Sequence, residues 1–399
     1  MSNLLFLSHR IPYPPDKGEK IRGWNVLRHL AASFKVHLGC LIDDPADWEH
    51  VPLLRTVCAE VAAFDLNKRT QKYRALARLR PGRPLMLDYY HDAGLQSWVD
   101  ATLARTTMDV IYIYTTAMAP YVLDRQLRGL ILDMADIDSE KWTTYARQSP
   151  WPMRMVWARE GRTLLAYERK AVLACERTLL VSEPECQRFA ELAPESRGKV
   201  TWLENGVDLE RFSPALRFQT PYAGDGPHIV FTGHMDYWPN ADAVINFVAT
   251  VMPRLRVARP SLQFHIVGAN PGSDVRRLAN EPGVQVTGRV ADVRPYVAHA
   301  ALSVTPLRIA RGIQNKVLEA MAMGRPVVAS PQAFEGVRAK AGRDVLVADG
   351  ADDMARLIGE VLDGGHTGLA SAARQAMLTH YAWPAVMRRL DVLLEPPPA

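Results

Sequence analysis

The sequence is poor in cysteine and has no long apolar run. Only 4 cysteines occur among 399 residues, and none of them is spaced like a CxxC or Cys/His metal motif. This excludes a disulfide scaffold and a zinc module, and it favours a reducing compartment. No stretch approaches the roughly 20 apolar residues of a membrane-spanning helix, and the opening run LLFL is too short for a signal peptide. We therefore expect a cytoplasmic protein whose membrane contacts are peripheral.

The composition is that of a globular chain, with 48% hydrophobic and 23% charged residues. A chain of this length exceeds one ordinary core and suits two domains. Short β-branched runs alternate with amphipathic stretches of helical length, which predicts parallel sheets built from βαβ units. The runs lie at 4–8, 35–42, 109–114, 129–134, 177–182 and 199–205 and, after a break, at 228–233, 262–268, 283–288, 301–306, 326–330 and 344–348.

The two series of strands predict two doubly wound, Rossmann-like domains facing a cleft. The first would span 1–204, and the second would span 228–375. Residues 205–227 break the periodicity and are rich in Gly, Pro and Asp, so they form the predicted linker. In such sheets, ligands bind beyond the carboxyl ends of the strands. The loops that follow the strands are therefore where we expect chemistry.

The stretch RGIQNKVLEAMAMGRPVVAS, residues 311–330, combines a glycine, a helix start and several polar groups. Free N–H groups at a helix start after Gly312 suit phosphate, and Arg311 and Lys316 add positive charge there. Glu319 can accept hydrogen bonds from two vicinal sugar hydroxyls. The spacing alone is equally compatible with an ordinary βα unit whose polar groups are solvated.

The same stretch resembles the donor-binding signature of GT-B glycosyltransferases of family 4 (glycosyltransferase group 1). Further parts of the chain resemble that family in the same order, and among its subgroups the chain most resembles bacterial exopolysaccharide sugar transferases of PEP-CTERM/exosortase loci. These stretches are SHRIPYPPDKGEKIRGWNVLRHLA, VSEPECQRF with ENGVDLERFSP, FTGHMDYWPNADAV and HYAWPAVMRRL. The resemblance implies an acceptor-binding first domain, a donor-binding second domain, and a C-terminal helix at 376–394 that returns to the first domain.

The resemblance also implies roles for individual residues. Glu319 would bind the ribose of a nucleoside-diphosphate sugar, and Arg289 would lie near the base. No metal or other cofactor would be required. The remaining implied donor-binding residues are Gly18, Gly233, His234, Gly312, Lys316, and the backbone of Val317 and Leu318.

Two departures from the family pattern affect the donor site. Arg311 occupies a position where many relatives carry a glutamate that contacts the donor sugar. His234 occupies a loop where many relatives carry an arginine and a lysine. We expect Arg311 to supply part of the missing positive charge, since a guanidinium can grip phosphate oxygens at two points.

The segment LILDMADIDSEKW places Asp133, Asp136 and Asp138 just after a buried strand. We expect Asp133 or Asp136 to orient or deprotonate the acceptor hydroxyl. Two alternatives remain open: Asp138 or Ser139 could cap the next helix, or the carboxylates could hold magnesium. His9, after the first strand, is a further candidate that could equally be a structural hydrogen-bonding group.

Two basic stretches interleave cations with apolar side chains, at 68–83 and 151–170. This pattern is typical of interfacial helices, and it predicts docking on anionic lipid at the inner face of the cytoplasmic membrane. No nucleic-acid recognition motif accompanies the charge, so we expect no nucleic-acid partner.

The sequence as a whole predicts a glycosyltransferase. The enzyme would move a sugar from a nucleoside-diphosphate sugar to a lipid-linked or growing polysaccharide, with retention of configuration implied by the family. The alternatives are a nucleotide-sugar epimerase of the same fold and a catalytically inactive nucleotide-sugar-binding partner.

Overall fold

The chain forms two compact units. A computed structural model describes residues 1–67, 82–224, 226–310 and 312–394. The first unit comprises Met1–Glu204 together with the C-terminal residues from Met387 onward, and the second unit comprises Asn205–Val386. The predicted linker and the start of the predicted C-terminal helix therefore both fall within the second unit.

The first unit is built on a seven-stranded sheet in which all pairs are parallel. Its strands are β1 (Asn3–Ser8), β2 (Lys35–Ile42), β3 (Glu60–Asp65), β4 (Val110–Tyr114), β5 (Leu130–Ala135), β6 (Arg177–Leu180) and β7 (Val200–Trp202). Its described helices are α1 (Gly18–Ser33), α2 (Val51–Val57), α3 (Leu85–Tyr89), α4 (Ala93–Arg105), α5 (Asp138–Gln148), α6 (Met153–Ala174) and α7 (Glu183–Leu192).

The strand order β3-β2-β1-β4-β5-β6-β7 reverses direction between β1 and β4. At such a reversal the connections leave on opposite sides of the sheet, and a crevice opens beyond the carboxyl ends of the strands. Both strands are buried almost along their whole length, as expected where helices cover both faces of a parallel sheet. The loops after β1, β4 and β5 therefore meet at one edge of a rigid core.

The second unit repeats this architecture with six parallel strands in the order β10-β9-β8-β11-β12-β13. They are β8 (His228–Thr232), β9 (Gln263–Val267), β10 (Val284–Gly288), β11 (Leu302–Thr305), β12 (Val327–Ala329) and β13 (Leu346–Val347). Its helices are α8 (Trp238–Thr250), α9 (Met252–Ala258), α10 (Ser273–Arg277), α11 (Arg294–His299), α12 (Asn315–Ala322), α13 (Pro331–Phe334), α14 (Ala351–Leu362) and α15 (Leu369–His380). A last helix, α16 (Trp383–Leu394), begins in the second unit and belongs to the first unit from Met387 onward.

The reversal in the second sheet lies between β8 and β11, so the loops after these strands form its candidate ligand-binding edge. The segment predicted as a linker packs against the same unit. The guanidinium of Arg374 donates to the carbonyl oxygens of Phe212 and Leu209 at 2.9 and 3.1 Å. Residues 205–224 are thus an ordered part of the second unit's surface.

The predicted fold class, two Rossmann-like α/β domains, is confirmed by the two parallel sheets. The sequence missed one strand, β3, whose residues are only partly buried and lie at the sheet edge. Within the part of the chain that the structure describes, no helix is both long and apolar enough to cross a membrane.

Candidate functional site

Asp133 lies at the end of β5 and is completely buried. Its oxygens accept hydrogen bonds from Nε and Nη2 of Arg22 at 2.8 and 2.9 Å, and Oδ2 also accepts from the Tyr112 hydroxyl at 2.5 Å. Another Arg22 donor, Nη1, reaches the carbonyl oxygen of Leu203 at 2.7 Å. A buried carboxylate paired this fully has no room for an acceptor hydroxyl, so the geometry favours a positioning role for Asp133.

The chain bends sharply between Asp133 and Asp136. The pairing of β5 with β6 shifts register after Asp133, and Ala135 adopts a left-handed conformation with φ of 61°. The amide of Ala135 donates to Oδ1 of Asp133 at 3.2 Å. Left-handed backbone at a residue with a Cβ persists only where its surroundings hold it. The Asp133 carboxylate therefore fixes the turn that delivers Asp136.

Helix α5 begins two residues after Asp136, but neither Asp138 nor Ser139 caps it, so the capping interpretation is wrong. The Ser139 amide instead donates to Oε1 of Glu168, from α6, at 3.1 Å. This external cap leaves the carboxylates of Asp136 and Asp138 unused by the helix. Neither carboxylate has a hydrogen-bond partner within the described ranges.

Asp136 carries an unusual pKa because of its surroundings. Burial, reinforced by the negative charge of Asp138, raises the pKa of Asp136 to about 6. Burial lowers the pKa of Lys141, but Asp138, Tyr145 and Asp136 together outweigh it, so that pKa lies above its usual value. Lys141 also lies close enough to His9 to help lower its pKa. We call His9, Asp136, Asp138 and Lys141 the strand-end cluster.

His9 follows β1 and is only 8% exposed. Its ring meets the Tyr90 ring edge-on at 5.4 Å and lies 5.9 Å from the Tyr114 ring. Burial, together with the charge of Arg10, lowers the pKa of His9 to about 4, so the imidazole is neutral at pH 7. Its Nδ1 is buried without a hydrogen-bond partner among the described residues. A polar atom in this state is satisfied only by something that enters the site.

Gly18 begins α1 and is exposed. Two nearby cations are already paired, Arg10 with Glu19 and Lys20 with Asp47 at 2.7 Å. The phosphate contact predicted for Gly18 stays a prediction. No described set of three or more His, Cys, Asp or Glu residues has a metal-binding arrangement.

In the second unit, Lys316 lies in the first turn of α12 and points its amine under the loop after β8. The Nζ atom donates to Oδ1 of Asn240 at 2.5 Å and lies 4.3 Å from the centre of the Phe231 ring. The Asn240 amide donates in turn to the carbonyl oxygen of His234 at 2.8 Å. A Cβ at Gly233 would come within 3.0 Å of that Nζ and 2.7 Å of the Asn240 amide. Only glycine fits this close approach.

Lys316 and Glu319 are charged groups without full compensation. Burial lowers the pKa of Lys316 to about 7, and burial raises the pKa of Glu319 to about 7. The charges of Lys316 and of Arg211, from the predicted linker, oppose the shift of Glu319 without cancelling it. The Glu319 carboxylate has no hydrogen-bond partner among the described residues. An arriving anion next to Lys316 and arriving hydroxyls next to Glu319 would each stabilise the charged form.

Several other groups near the start of α12 already have partners within the protein. The amides of Val317 and Leu318 already donate to the carbonyl oxygen of Gln314 at 2.9 and 3.4 Å, so a diphosphate would have to share them. Gly312 precedes α12 with φ of 64°. The nearby cation Arg308 is neutralised by Asp242 at 2.9 Å. These contacts leave the Lys316 side chain as the main phosphate candidate at this helix start.

The remaining donor-site predictions lie on loops. His234 follows β8 and is partly exposed, with Nδ1 4.0 Å from Oδ1 of Asp236. Arg289 follows β10 and is exposed. Arg311 lies outside the described residues. Their predicted contacts with base, sugar and phosphate remain untested.

Comparison with known proteins bears on this second unit. Residues 226–364 match the family described as glycosyl transferases group 1. The matched range lies within the second unit. It contains Gly233, Asn240, Lys316 and Glu319, so the geometry around α12 belongs to the matched part of the chain. The predicted family resemblance is thereby confirmed for these residues, whereas nothing bears on the exopolysaccharide subgroup.

A curated relative, "D-inositol 3-phosphate glycosyltransferase 2" from Catenulispora acidiphila, is 26% identical over 227 residues. That match covers 52% of this chain and 52% of the relative. The chain thus spans about half the length of the curated relatives it matches.

Solved structures extend the likeness to the whole fold. Sucrose-phosphate synthase from Thermosynechococcus elongatus has a TM-score of 0.72 at 16% identity, covering 98% of both chains. Anabaena HepE, solved in complex with UDP and glucose, has a TM-score of 0.68 at 16% identity, covering 99% of both. At these identities the likeness establishes the GT-B fold alone.

Sequence reasoning missed several residues that shape both sites. In the second unit, Asn240 and Phe231 contact the Lys316 amine, and Arg211 influences Glu319. In the first unit, Lys141 joins the strand-end cluster. No local pattern marks any of them, because each meets its partner only through packing of distant segments. Only the Asn in WPNADAV, within a stretch already matched to the family, offered a weak signal.

Proposed function

We propose that the chain is a group 1 glycosyltransferase that transfers a sugar from a nucleoside-diphosphate sugar to a hydroxyl group. One observation carries this proposal: Lys316 and Glu319 lie together in the matched domain, both with a pKa displaced to about 7 by burial. A cation of this kind suits a diphosphate, and a carboxylate of this kind suits the ribose hydroxyls. Shifted pairs of this kind are typical of functional sites.

The other roles follow from position. Gly233 and Asn240 would keep Lys316 directed at the diphosphate, and His234, Arg289 and Arg311 would contact the rest of the donor. In the first unit, Asp136 would accept the proton of the acceptor hydroxyl, because it is partly exposed and its pKa of about 6 leaves it mostly ionised at pH 7. Retention of configuration would follow the family.

The acceptor would be a lipid-linked or growing glycan in envelope or exopolysaccharide synthesis, reached from the inner membrane surface. The turn between α5 and α6 supports membrane docking, with Trp151 78% and Met155 65% exposed. Arg147 and Arg154 flank this turn, and no acid occurs from residue 141 to residue 159. Exposed aromatic and basic side chains together suit an anionic lipid surface.

The second basic stretch reaches the same helix. Residues 68–81 lie outside the described residues, but the chain just after them is anchored on α6. Oxygens of Glu160 accept from the amides of Leu85 and Met86 at 2.8 and 2.9 Å, and Arg159 donates to the carbonyl oxygen of Arg83 at 3.0 Å. This anchoring brings the end of one basic stretch to the start of the other.

A thermal-shift panel of UDP-, GDP-, ADP- and CMP-sugars tests the donor proposal. A donor at 100 times its Kd should stabilise the protein by about 2.7 kcal/mol, and product analysis should show the free nucleoside diphosphate. Release of an isomerised sugar nucleotide would indicate an epimerase instead. A panel without any shift would reject nucleotide-sugar binding.

Liposome flotation tests the docking proposal. The full chain should float with anionic vesicles and not with neutral ones, and Trp151→Ser with Met155→Ser should weaken flotation. Trp48→Ser, at a tryptophan that is 39% exposed away from this turn, serves as the matched control. Equal flotation by neutral vesicles would contradict electrostatic docking.

A further inference from the structure

We propose that the strand-end cluster selects an uncharged polyhydroxylated acceptor and discriminates against phosphorylated ones. The proposal rests on the proposed function, since it specifies the substrate that the first unit would bind. It concerns His9, Asp136, Asp138 and Lys141, together with Arg10 beside them.

The strand-end cluster offers a ligand several hydrogen-bond acceptors that have no partner among the described residues. The carboxylates of Asp136 and Asp138 have no partner among the described residues, and an ionised carboxylate can only accept. His9 Nδ1 is buried and unpaired as well. A ligand that satisfies these atoms must bring several donors close together. Adjacent hydroxyl groups on a sugar ring do so, and each can also accept if the imidazole donates.

The cations around the strand-end cluster lie close to carboxylates. Arg10 is neutralised by Glu19 and by Asp43, whose Oδ2 lies 3.2 Å from the Arg10 Nε atom. Lys141 faces Asp138 and Asp136, which hold its pKa above its usual value. Deeper in the same edge, Arg22 is paired with Asp133. The carboxylates named at this edge, Glu19, Asp43, Asp133, Asp136 and Asp138, therefore outnumber the cations Arg10, Arg22 and Lys141.

An incoming phosphate would meet this excess of carboxylates. It carries about 1.5 to 2 negative charges at pH 7, and a like charge near partly buried groups is poorly screened. It would also raise the pKa of Asp136 further, because Asp138 already does so. Protonated Asp136 could no longer accept a proton from the acceptor. A phosphoryl group in the cluster would thus oppose both binding and proton transfer.

This inference separates the chain from the relatives that it matches. Those relatives are named for D-inositol 3-phosphate, a phosphorylated polyol. The cluster described above offers acceptors for hydroxyl protons, and carboxylates outnumber cations around it. The acceptor hydroxyl would therefore belong to a sugar that itself carries no phosphate.

Ligand-observed NMR on the full chain tests the inference with matched pairs: glucose and glucose 6-phosphate, mannose and mannose 6-phosphate, myo-inositol and inositol 3-phosphate. At least one neutral member should bind tenfold or more tightly than its phosphorylated partner. Asp138→Asn should reduce that ratio several-fold. Glu49→Gln, which removes a 73% exposed carboxylate of the same unit, should leave the ratio unchanged.

His9→Phe provides a second variant that keeps the ring packing against Tyr90 and removes the nitrogens. It should weaken the neutral sugar several-fold while the melting temperature stays within a degree or two of wild type. Equal or tighter binding of the phosphorylated members would overturn the inference, and so would the absence of binding by every sugar tested. Donor binding is read separately by thermal shift, so failure of the proposed function would be distinguishable.

Discussion

Both units place charged groups at or beyond the carboxyl ends of their strands, but the partners of these groups differ. In the first unit, Asp133 is held by two hydrogen bonds from Arg22 and one from Tyr112, all within the protein. In the second unit, Lys316 has only a neutral amide and an aromatic ring, and Glu319 has no hydrogen-bond partner among described residues. The Arg22–Asp133 pair is thus compensated within the protein, whereas the charges of Lys316 and Glu319 are left for a ligand.

This difference explains why the pKa values of Lys316 and Glu319 are displaced towards neutrality. A buried charge with a strong partner stays ionised, because the partner offsets the lost hydration. Without such a partner, burial shifts the pKa so that the neutral form is favoured, as it does for Lys316 and Glu319. Paired charges such as Arg22 and Asp133 are satisfied within the fold. Incompletely paired charges favour a ligand that brings an opposite charge or hydroxyl donors.

The largest effect should come from breaking the compensated pair. Asp133→Asn leaves the Arg22 guanidinium buried without a counter-charge, so we expect the free energy of unfolding to fall by about 3–5 kcal/mol, measured by urea denaturation. Arg356→Ala removes an exposed pairing with Asp353 and Glu360 and should barely move the midpoint. An unchanged midpoint for Asp133→Asn, with turnover abolished, would instead assign Asp133 to the chemistry.

Removing the Glu319 carboxylate should weaken donor binding without lowering the free energy of unfolding at pH 8. Glu319→Gln should weaken donor binding by about 1.5–3 kcal/mol, since it removes charge-assisted hydrogen bonds to the ribose, as titration calorimetry would measure. The folded pKa of Glu319 lies above its usual 4.5, so wild-type stability falls as pH rises from about 4.5 to 7. The variant should therefore be at least as stable at pH 8.

Glu335→Gln is the matched control for that experiment, because Glu335 is an exposed carboxylate of the same domain. It should change neither donor affinity nor melting temperature. A Glu319→Gln protein that bound donor like wild type would remove Glu319 from the site.

Asn240→Asp would give the Lys316 amine a carboxylate partner within the protein. The new carboxylate would face Lys316 Nζ, now 2.5 Å from Oδ1 of Asn240, and would raise the pKa of Lys316 above its value of about 7. We expect the melting temperature to rise slightly and affinity for free UDP or GDP to fall about tenfold, since the carboxylate competes with phosphate. Tighter nucleotide binding would contradict the role assigned to Lys316.

The smallest effect should be a shift in pH dependence. Because Asp136 must be ionised to accept a proton and its pKa is about 6, kcat/KM should fall as pH drops below 6. Asp138→Asn removes a like charge and should move that acid limb to lower pH, whereas Lys141→Met should move it higher. Groups that also influence Asp136 are Arg22 from α1 and Asp133 from β5. An acid limb unmoved by either variant would exclude Asp136 as its origin.

The sequence predicted the sheets well because buried parallel strands leave a local signal. Twelve apolar runs coincide with described strands, and only β3, a half-buried edge strand, lacked a pattern of its own. Lys316 and Glu319 were predicted because one helix positions both, three residues apart. Periodicity and a local motif suffice where both partners lie on a single element.

The roles of the three aspartates could not be read in the same way. Whether Asp133 or Asp136 faces solvent depends on the register shift after Asp133 and on Arg22, which lies 111 positions away. A single shifted residue exchanges the two faces of a strand. The cap of α5 likewise comes from Glu168, 29 positions downstream of Ser139. Such partners become visible only when the chain has folded.

Gly233 has a practical consequence for engineering. A side chain there would collide with both Asn240 and Lys316, so libraries built to change the transferred sugar should hold these three positions fixed. Diversity belongs on His234 and Arg289, which follow the same strand ends and are partly exposed or exposed. The absence of a side chain at Gly233 therefore determines that Asn240 and Lys316 must stay unchanged in such libraries.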